Sequence, residues 1–375
     1  MTNSRWKKIR LGDFVALQRG HDLPFSSREP GNVPVMGSAG LTGYHSKAVA
    51  KGPGVTIGRS GVGSMGVVNY CEEDYWPHNT VLYVTDFKGN YPLFVYYLLK
   101  SIDLRSFDSG SAQSSLNRNY LYPAIISVPS IDTQKNIADF LFDLEKKIEL
   151  NLRMNYTLES VARSVFHRWF VENEDVNNWE VTTLGDKNIF PLVPPGIHME
   201  DDQRVFYIAT GDVDLGTITN ETEEYAFLLP SRANMQPGHG RIWFAKMKDS
   251  RKYLWTFSED NDWWQHRILS TGFAGIQVVS AVYESYLYAY ISSEKFDEEK
   301  NRLATGTTMQ AVNTDAISSI TLPIPPEAIV TQFDGITRPL YRKMWHNYLE
   351  SRTLASLRDT LLPKLMRGEV RVKDV

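Results

Sequence analysis

The sequence predicts an α+β chain: two β-rich modules and two long antiparallel helices, related by an internal duplication with pseudo-twofold character. Three observations carry that expectation. They are a self-similarity at defined offsets, short strand-like runs punctuated by Gly and Pro, and a heptad-spaced apolar seam after each module.

The repeat sets the boundaries. WKKIRLGD at residues 6–13 returns as WEVTTLGD at residues 179–186, an offset of 173. Farther along the offset is 196. Gly110 and Asn117 of GSAQSSLN match Gly306 and Asn313 of GTTMQAVN, Val128 and Pro129 match Ile324 and Pro325, and Leu158, Val161 and Phe166 match Leu354, Leu357 and Leu362. The second copy therefore carries about 23 extra residues in its divergent centre. The predicted order is a module over 1–130, a helix over 131–172, a module over 173–326, and a helix with tail over 327–375.

Within the first module the runs Gly54 to Ile57, Met65 to Tyr70 and Thr80 to Thr85 read as strands, with one short helix around Leu93 to Leu99. The second repeats the style with Val205 to Ile208, Gly240 to Phe244 and Gly275 to Val279. Little helix is expected inside either module.

The helices carry the clearest period. Ile137, Leu141, Leu144, Ile148, Asn151, Asn155, Leu158, Ala162, Val165 and Trp169 are spaced alternately by four and three. The 196 offset produces Phe333, Thr337, Leu340, Met344, Asn347, Ser351, Leu354, Arg358, Leu361 and Leu365, a rougher seam in which Asn151 returns as Asn347. Two readings stand open for that recurrence: a buried pair fixing register, or solvent-facing residues inherited through duplication. The seam from Thr133 to about Phe170 implies a helix of roughly 38 residues, about 57 Å at 1.5 Å per residue, which suits a spacer with a module at each end.

Composition excludes several classes. No apolar run approaches the roughly 18 residues of a membrane span, residues 1–10 lack the apolar stretch of a secretory leader, and a lone Cys71 cannot build a disulfide framework. A cytoplasmic protein is expected. The net charge of −4 shows no basic excess, so any anion-binding surface must be local.

Familiar catalytic patterns fail on context. Gly61, Gly63 and Gly66 match G-x-G-x-x-G, but Val67 to Tyr70 continues as a strand where a dinucleotide loop must open a helix. Val62 occupies the glycine position that a nucleophile elbow at Ser60 or Ser64 requires. Asp132, Glu145 and Lys147 resemble a nuclease set, yet Glu145 and Lys147 stand two apart on a helix and face differently. What remains is loop chemistry suited to reading a ligand. Arg59 lies in a glycine-rich loop and can fork onto a guanine edge or a phosphate. Ser111, Gln113, Ser114, Asn117 and Arg118 form a hydrogen-bonding run. Lys246, Lys248, Arg251 and Lys252 place four cations within seven residues, and the four tryptophans Trp243, Trp255, Trp263 and Trp264 are expected mainly in the core.

Taken together, these segments resemble the specificity subunit of type I restriction-modification systems. The match spans WKKIRLGDF, IGRSGVGSMGVVNY, HNTVLYV, SVPSIDTQ and LESVARSVFHRWF in the first copy. GRIWFAKMK, LSTGFAGIQVV, ATGTTMQAVN, LPIPPEAIVTQ and LASLRDTLLPKLMRGEV carry it in the second, with Arg367 the one departure. The resemblance implies two target recognition domains, each reading half of a bipartite double-stranded DNA site, and two helices acting as a ruler. It implies a chain without catalysis or cofactor. Two modification (methyltransferase) subunits would carry S-adenosylmethionine, and restriction or motor subunits would use ATP and Mg²⁺. On this reading the DNA-binding candidates are Arg19, His21, Tyr44, His45, Arg59, Ser60, Gly61, Gln113, Ser114, Asn117 and Arg118 in the first half. Lys246, Lys248, Arg251, Lys252, Thr271, Gln310 and Asn313 are those of the second. A non-catalytic scaffold binding protein partners through its coiled coil is the alternative.

Overall fold

The computed structural model describes residues 6–108, 115–257, 263–307 and 310–374. The chain forms two compact units, Met1–Leu150 with Glu350–Val375, and Asn151–Leu349.

In the first unit, β1 (Lys7–Arg10) leads through a single turn, α1 (Leu11–Phe14), into β2 (Ala16–Arg19). Then come β3 (Val33–Gly37), β4 (Gly40–His45), β5 (Gly54–Gly58), β6 (Val68–Cys71), β7 (Trp76–Pro77) and β8 (Val81–Asp86). After α2 (Pro92–Lys100), α3 (Arg118–Leu121) and β9 (Ile125–Val128), the long α4 (Ile131–Phe170) begins. The main sheet has the order β2-β8-β5-β6, and a smaller one β4-β3-β7. Every residue of the central β5 is buried, as is Leu93 to Leu99 of α2, which starts on Pro92 where a missing N–H is tolerated. Phe14, Val55, Ile57, Phe94, Ile137, Leu141, Leu361 and Leu365 share one core, so both long helices pack into the module. The strand expected from Met65 is shorter than its apolar letters suggest. Gly61, Gly63 and Gly66 take φ of +109°, +79° and +80°, a left-handed path that spends residues 61–67 on turns and leaves the strand to begin at Val68.

The second unit holds the rest of α4, then β10 (Glu180–Thr183), β11 (Arg204–Ile208), β12 (Val213–Asp214), β13 (Thr217–Ile218), β14 (Thr222–Tyr225) and β15 (Ala233–Met235). β16 (Arg241–Ala245), β17 (Tyr253–Thr256), β18 (Arg267–Ser270) and β19 (Phe273–Gln277) complete the main strands. Next come α5 (Glu284–Ile291), α6 (Glu294–Leu303), α7 (Thr314–Ser318), β20 (Thr321–Ile324) and α8 (Glu327–Met366). The strand expected over Gly275 to Val279 sits two residues earlier. This module is also more helical than expected. All eight residues of α5 are buried, so no polar face marks its period, whereas α6 buries only Phe296 and Lys300 and shows almost no apolar stripe.

The duplication is visible in strand register. β1 pairs with β9 from Lys7↔Val128 to Arg10↔Ile125, and β10 pairs with β20 from Glu180↔Ile324 to Thr183↔Thr321, which are the 173 and 196 offsets residue for residue. The next backbone bond repeats as well: Leu11 N donates to Ala124 O, and Leu184 N to Ile320 O.

Both long helices run 40 residues. In the first unit Lys147 pairs with Glu350 at 3.2 Å and Glu145 with Arg358 at 3.5 Å; in the second Asn155 Nδ2 donates to Met344 O at 3.0 Å. Rising numbers on one helix meet falling numbers on the other, so the helices are antiparallel within each unit. None of the twenty seam positions is exposed, and Ile137, Leu141, Asn151, Ala162, Phe333, Thr337, Asn347, Leu361 and Leu365 are fully covered; Leu144, Ile148, Leu158, Leu340, Met344 and Leu354 are partly buried. The solvent-facing reading of the two asparagines is thereby overturned. Two polar interruptions in the second seam find partners: Thr337 Oγ1 donates to Phe333 O, and Arg358 pairs with Glu145 at 3.5 Å.

Candidate nucleic-acid interface

β2, the residue after β5 and the start of α3 converge on an open cleft of about 590 Å³ in the first unit. Of the predicted residues, Arg19, His21, Arg59, Asn117 and Arg118 line it together. Gln18, Asp22 and Asn119 join them, and neither amide was singled out from sequence. Gln18 is exposed on β2 between buried Leu17 and exposed Arg19, and its only signal in the letters was a polar residue next to an apolar one.

The cations are held differently. Arg118 Nη1 donates to Leu17 O at 2.8 Å and Arg19 Nε to Asn79 O at 3.4 Å, so each exposed side chain is anchored by one bond to a backbone carbonyl. The Arg59 side chain has no hydrogen-bond or ion-pair partner among the described residues, although its backbone is fixed on both sides. Asn117 Oδ1 accepts from Asn119 N, a capping role that accounts for part of its presence. Asp22, the one acid among the described residues lining the cleft, accepts from Asn79 Nδ2.

Other candidates lie apart from the cleft lining. His45 is buried against Trp76, ring centroids 5.2 Å apart, and its Nδ1 accepts from Glu29 N, which is a packing role. Tyr44 is exposed on β4. Ser60 pairs with Ser115 through the backbone, and Gly61 forms the turn. Gln113 and Ser114, with Ser111, fall outside the described residues.

In the second unit Lys246, Lys248, Thr271, Gln310 and Asn313 come together around the end of β16. Lys246 N donates to Gly272 O, next to Thr271, and Lys248 N donates to Gln310 O. Asn313 caps α7 by accepting from Ala316 N. Partial burial pulls the Lys246 ammonium below the usual lysine pKa, and neither it nor Lys248 has a side-chain partner among the described residues. Arg251 and Lys252 are used internally. Arg251 donates to Ser292 O and pairs with Glu294 at 3.5 Å, and Lys252 Nζ donates to Thr210 O at 2.7 Å. Trp243, Trp255 and Trp264 are core residues.

The rejected enzymatic motifs have structural explanations. The Gly61 to Gly66 loop passes into β6 rather than a helix. Glu145 accepts from Tyr97 Oη and Lys100 Nζ at 2.8 and 3.0 Å, and Lys147 is paired with Glu350, so these side chains brace the helices. Among the described residues no group of three His, Cys, Asp or Glu side chains is arranged to hold a metal, and no described helix is long and apolar enough to cross a membrane.

The chain is a duplicated α+β protein with register-matched modules and a cationic, amide-lined cleft in its first unit. Comparison with known proteins relates it to a family. Residues 3–160 match the family described as the type I restriction modification DNA specificity domain. The MjaIX specificity subunit of Methanocaldococcus jannaschii is 25% identical over 75% of this chain and 70% of its own length. The HindI specificity subunit of Haemophilus influenzae is 21% identical over 74% and 77%. The fold is shared with the type I restriction-modification S subunit from M. genitalium, at a TM-score of 0.69, 17% identity and 97% coverage of both chains. The chain is thus similar to type I restriction-modification specificity subunits, by the family match of residues 3–160 and by two relatives aligned over about three quarters of its length.

Proposed function

We propose that each module reads one half of a bipartite double-stranded DNA site, and that the chain acts in the cytoplasm as a non-catalytic subunit. The first module uses the Arg19, Arg59 and Arg118 cleft, and the second uses Lys246 and Lys248 beside Gln310. The two antiparallel helices set the spacing of the half-sites and dock two modification subunits. S-adenosylmethionine belongs to those subunits, and ATP with Mg²⁺ to motor subunits, while this chain supplies sequence recognition alone.

The observation that carries the reading is the repetition of strand register at the 173 and 196 offsets, because duplicated protein geometry suits two half-sites about one helical turn, roughly 34 Å, apart. Mapping methylated adenines in cells with and without this chain tests it. A bipartite motif that appears only with the chain is expected, and a contiguous motif, or one independent of the chain, overturns it.

A further inference from the structure

The two modules differ in sequence where they read DNA, so offsets alone do not align their loops. Backbone bonds do. Arg59 N donates to Thr80 O at 2.8 Å, and its carbonyl accepts from Leu116 N at 2.8 Å. Lys246 N donates to Gly272 O at 2.9 Å, and its carbonyl accepts from Val312 N at 3.0 Å. The following residues repeat the pattern, with antiparallel bridges Ser60↔Ser115 and Met247↔Ala311. Each cation is the first residue after a central, buried strand, β5 or β16. In each module the residue after Leu116 or Val312 is the capping asparagine, Asn117 or Asn313. Arg59 and Lys246 therefore hold one and the same structural position, 187 residues apart, an offset that neither flank of the repeat displays.

Resting on the DNA-reading assignment above, we propose that this position is a specificity determinant in both modules, and that each half-site presents a guanine to it. The side-chain chemistry supports the choice of base. Guanine offers two adjacent acceptors, O6 and N7, in the major groove, and Arg or Lys is the side chain that matches them. Both cations project from backbone bonded on either side, so the charge is presented from a fixed point, as sequence discrimination demands. Both lack a side-chain partner among the described residues. Arg19 and Arg118 contrast with them: each spends a donor on a protein carbonyl, which suits holding phosphate rather than distinguishing bases.

The test is the methylation motif of the assembled methyltransferase carrying Arg59→Ala, Lys246→Ala, Arg59→Lys or Lys246→Arg. Arg59→Ala is expected to make one G·C pair degenerate in one half-site, with discrimination there falling roughly 5- to 150-fold, and to leave the other half unchanged. Lys246→Ala is expected to do the same in the opposite half. The conservative variants, which keep the fold and the charge, are expected to retain guanine. An unchanged motif with methylation uniformly reduced at all sites would reveal phosphate contacts and overturn the inference, as would relaxation at an A·T pair. Those outcomes leave the specificity-subunit reading intact, because that reading fails only if the wild-type chain directs no bipartite motif.

Discussion

The Asn347 side-chain amide donates to Asn155 Oδ1 at 2.8 Å, and Asn347 is only 1% exposed. Asn151 Nδ2 in turn donates to Asn347 O at 3.4 Å, so the recurrent seam asparagines hold one another across the antiparallel pair. Asn347→Ala is expected to destabilise by about 1 kcal/mol, since it leaves the partly buried Asn155 Oδ1 without its donor. Denaturant midpoints measure this. A double-mutant cycle with Asn155→Ala should return a coupling of about 0.5–3 kcal/mol, and independent, additive losses would refute the pairing.

Leu141 and Leu152 lie on the same helix, yet Leu141 is 0% exposed and Leu152 59%. Leu141→Ala is expected to cost about 2–5 kcal/mol through lost burial and the cavity left behind, and Leu152→Ala no more than about 0.5 kcal/mol. Thermal and denaturant unfolding of both variants checks the seam assignment.

Lys248 is exposed, whereas Lys252 is tied to Thr210 O. Lys248→Ala should weaken DNA binding by the assembled complex and reduce the slope of log affinity against log salt by about 0.9. Lys252→Ala should leave the slope unchanged and lower stability instead. Affinities across a salt series distinguish the two, and equal slope changes would show that both ammonium groups reach phosphate.

A methyl group at Gly58 would collide with the backbone oxygens of Ser64 and Ser38. Gly58→Ala is therefore expected to displace the Arg59 loop. Stability and site-specific methylation should fall together, while the second half of the motif stays unaltered.

Burial lowers the Lys246 pKa from 10.5, so its ammonium loses its proton at a lower pH than an exposed lysine does. For a base with a depressed folded pKa, the unfolded chain binds more protons between the two values, so this group favours folding increasingly as pH rises through that window. DNA binding runs the other way, because it needs the charge. Affinity of the wild-type complex should decline with rising alkaline pH before that of Lys246→Arg, whose guanidinium stays charged. Parallel pH titrations of binding read the difference.

Much of the architecture was legible because its signals are local and periodic. The two repeat offsets, the heptad spacing through Ile137 and Leu141, and the Pro129 and Pro325 junctions survive in the letters alone. The α5 helix was not legible, because burial on every side removes the polar face that would reveal its period. His45 was chosen for its chemistry, and its Nδ1 is consumed by Glu29 N. Whether a polar group is available depends on partners far away in sequence, and composition does not record them.

The sequence by itself determined the duplication, the long paired helices and a family resemblance. Only the tertiary structure decided which cations remain outward-facing, that Gln18 and Asn119 join the arginines in one cleft, and that Arg59 and Lys246 are counterparts. The physical reason lies in what each kind of feature requires. A helix seam is written in residues three and four apart, whereas a reading surface is assembled from loops whose lengths have diverged and whose alignment survives only in backbone hydrogen bonds between distant strands.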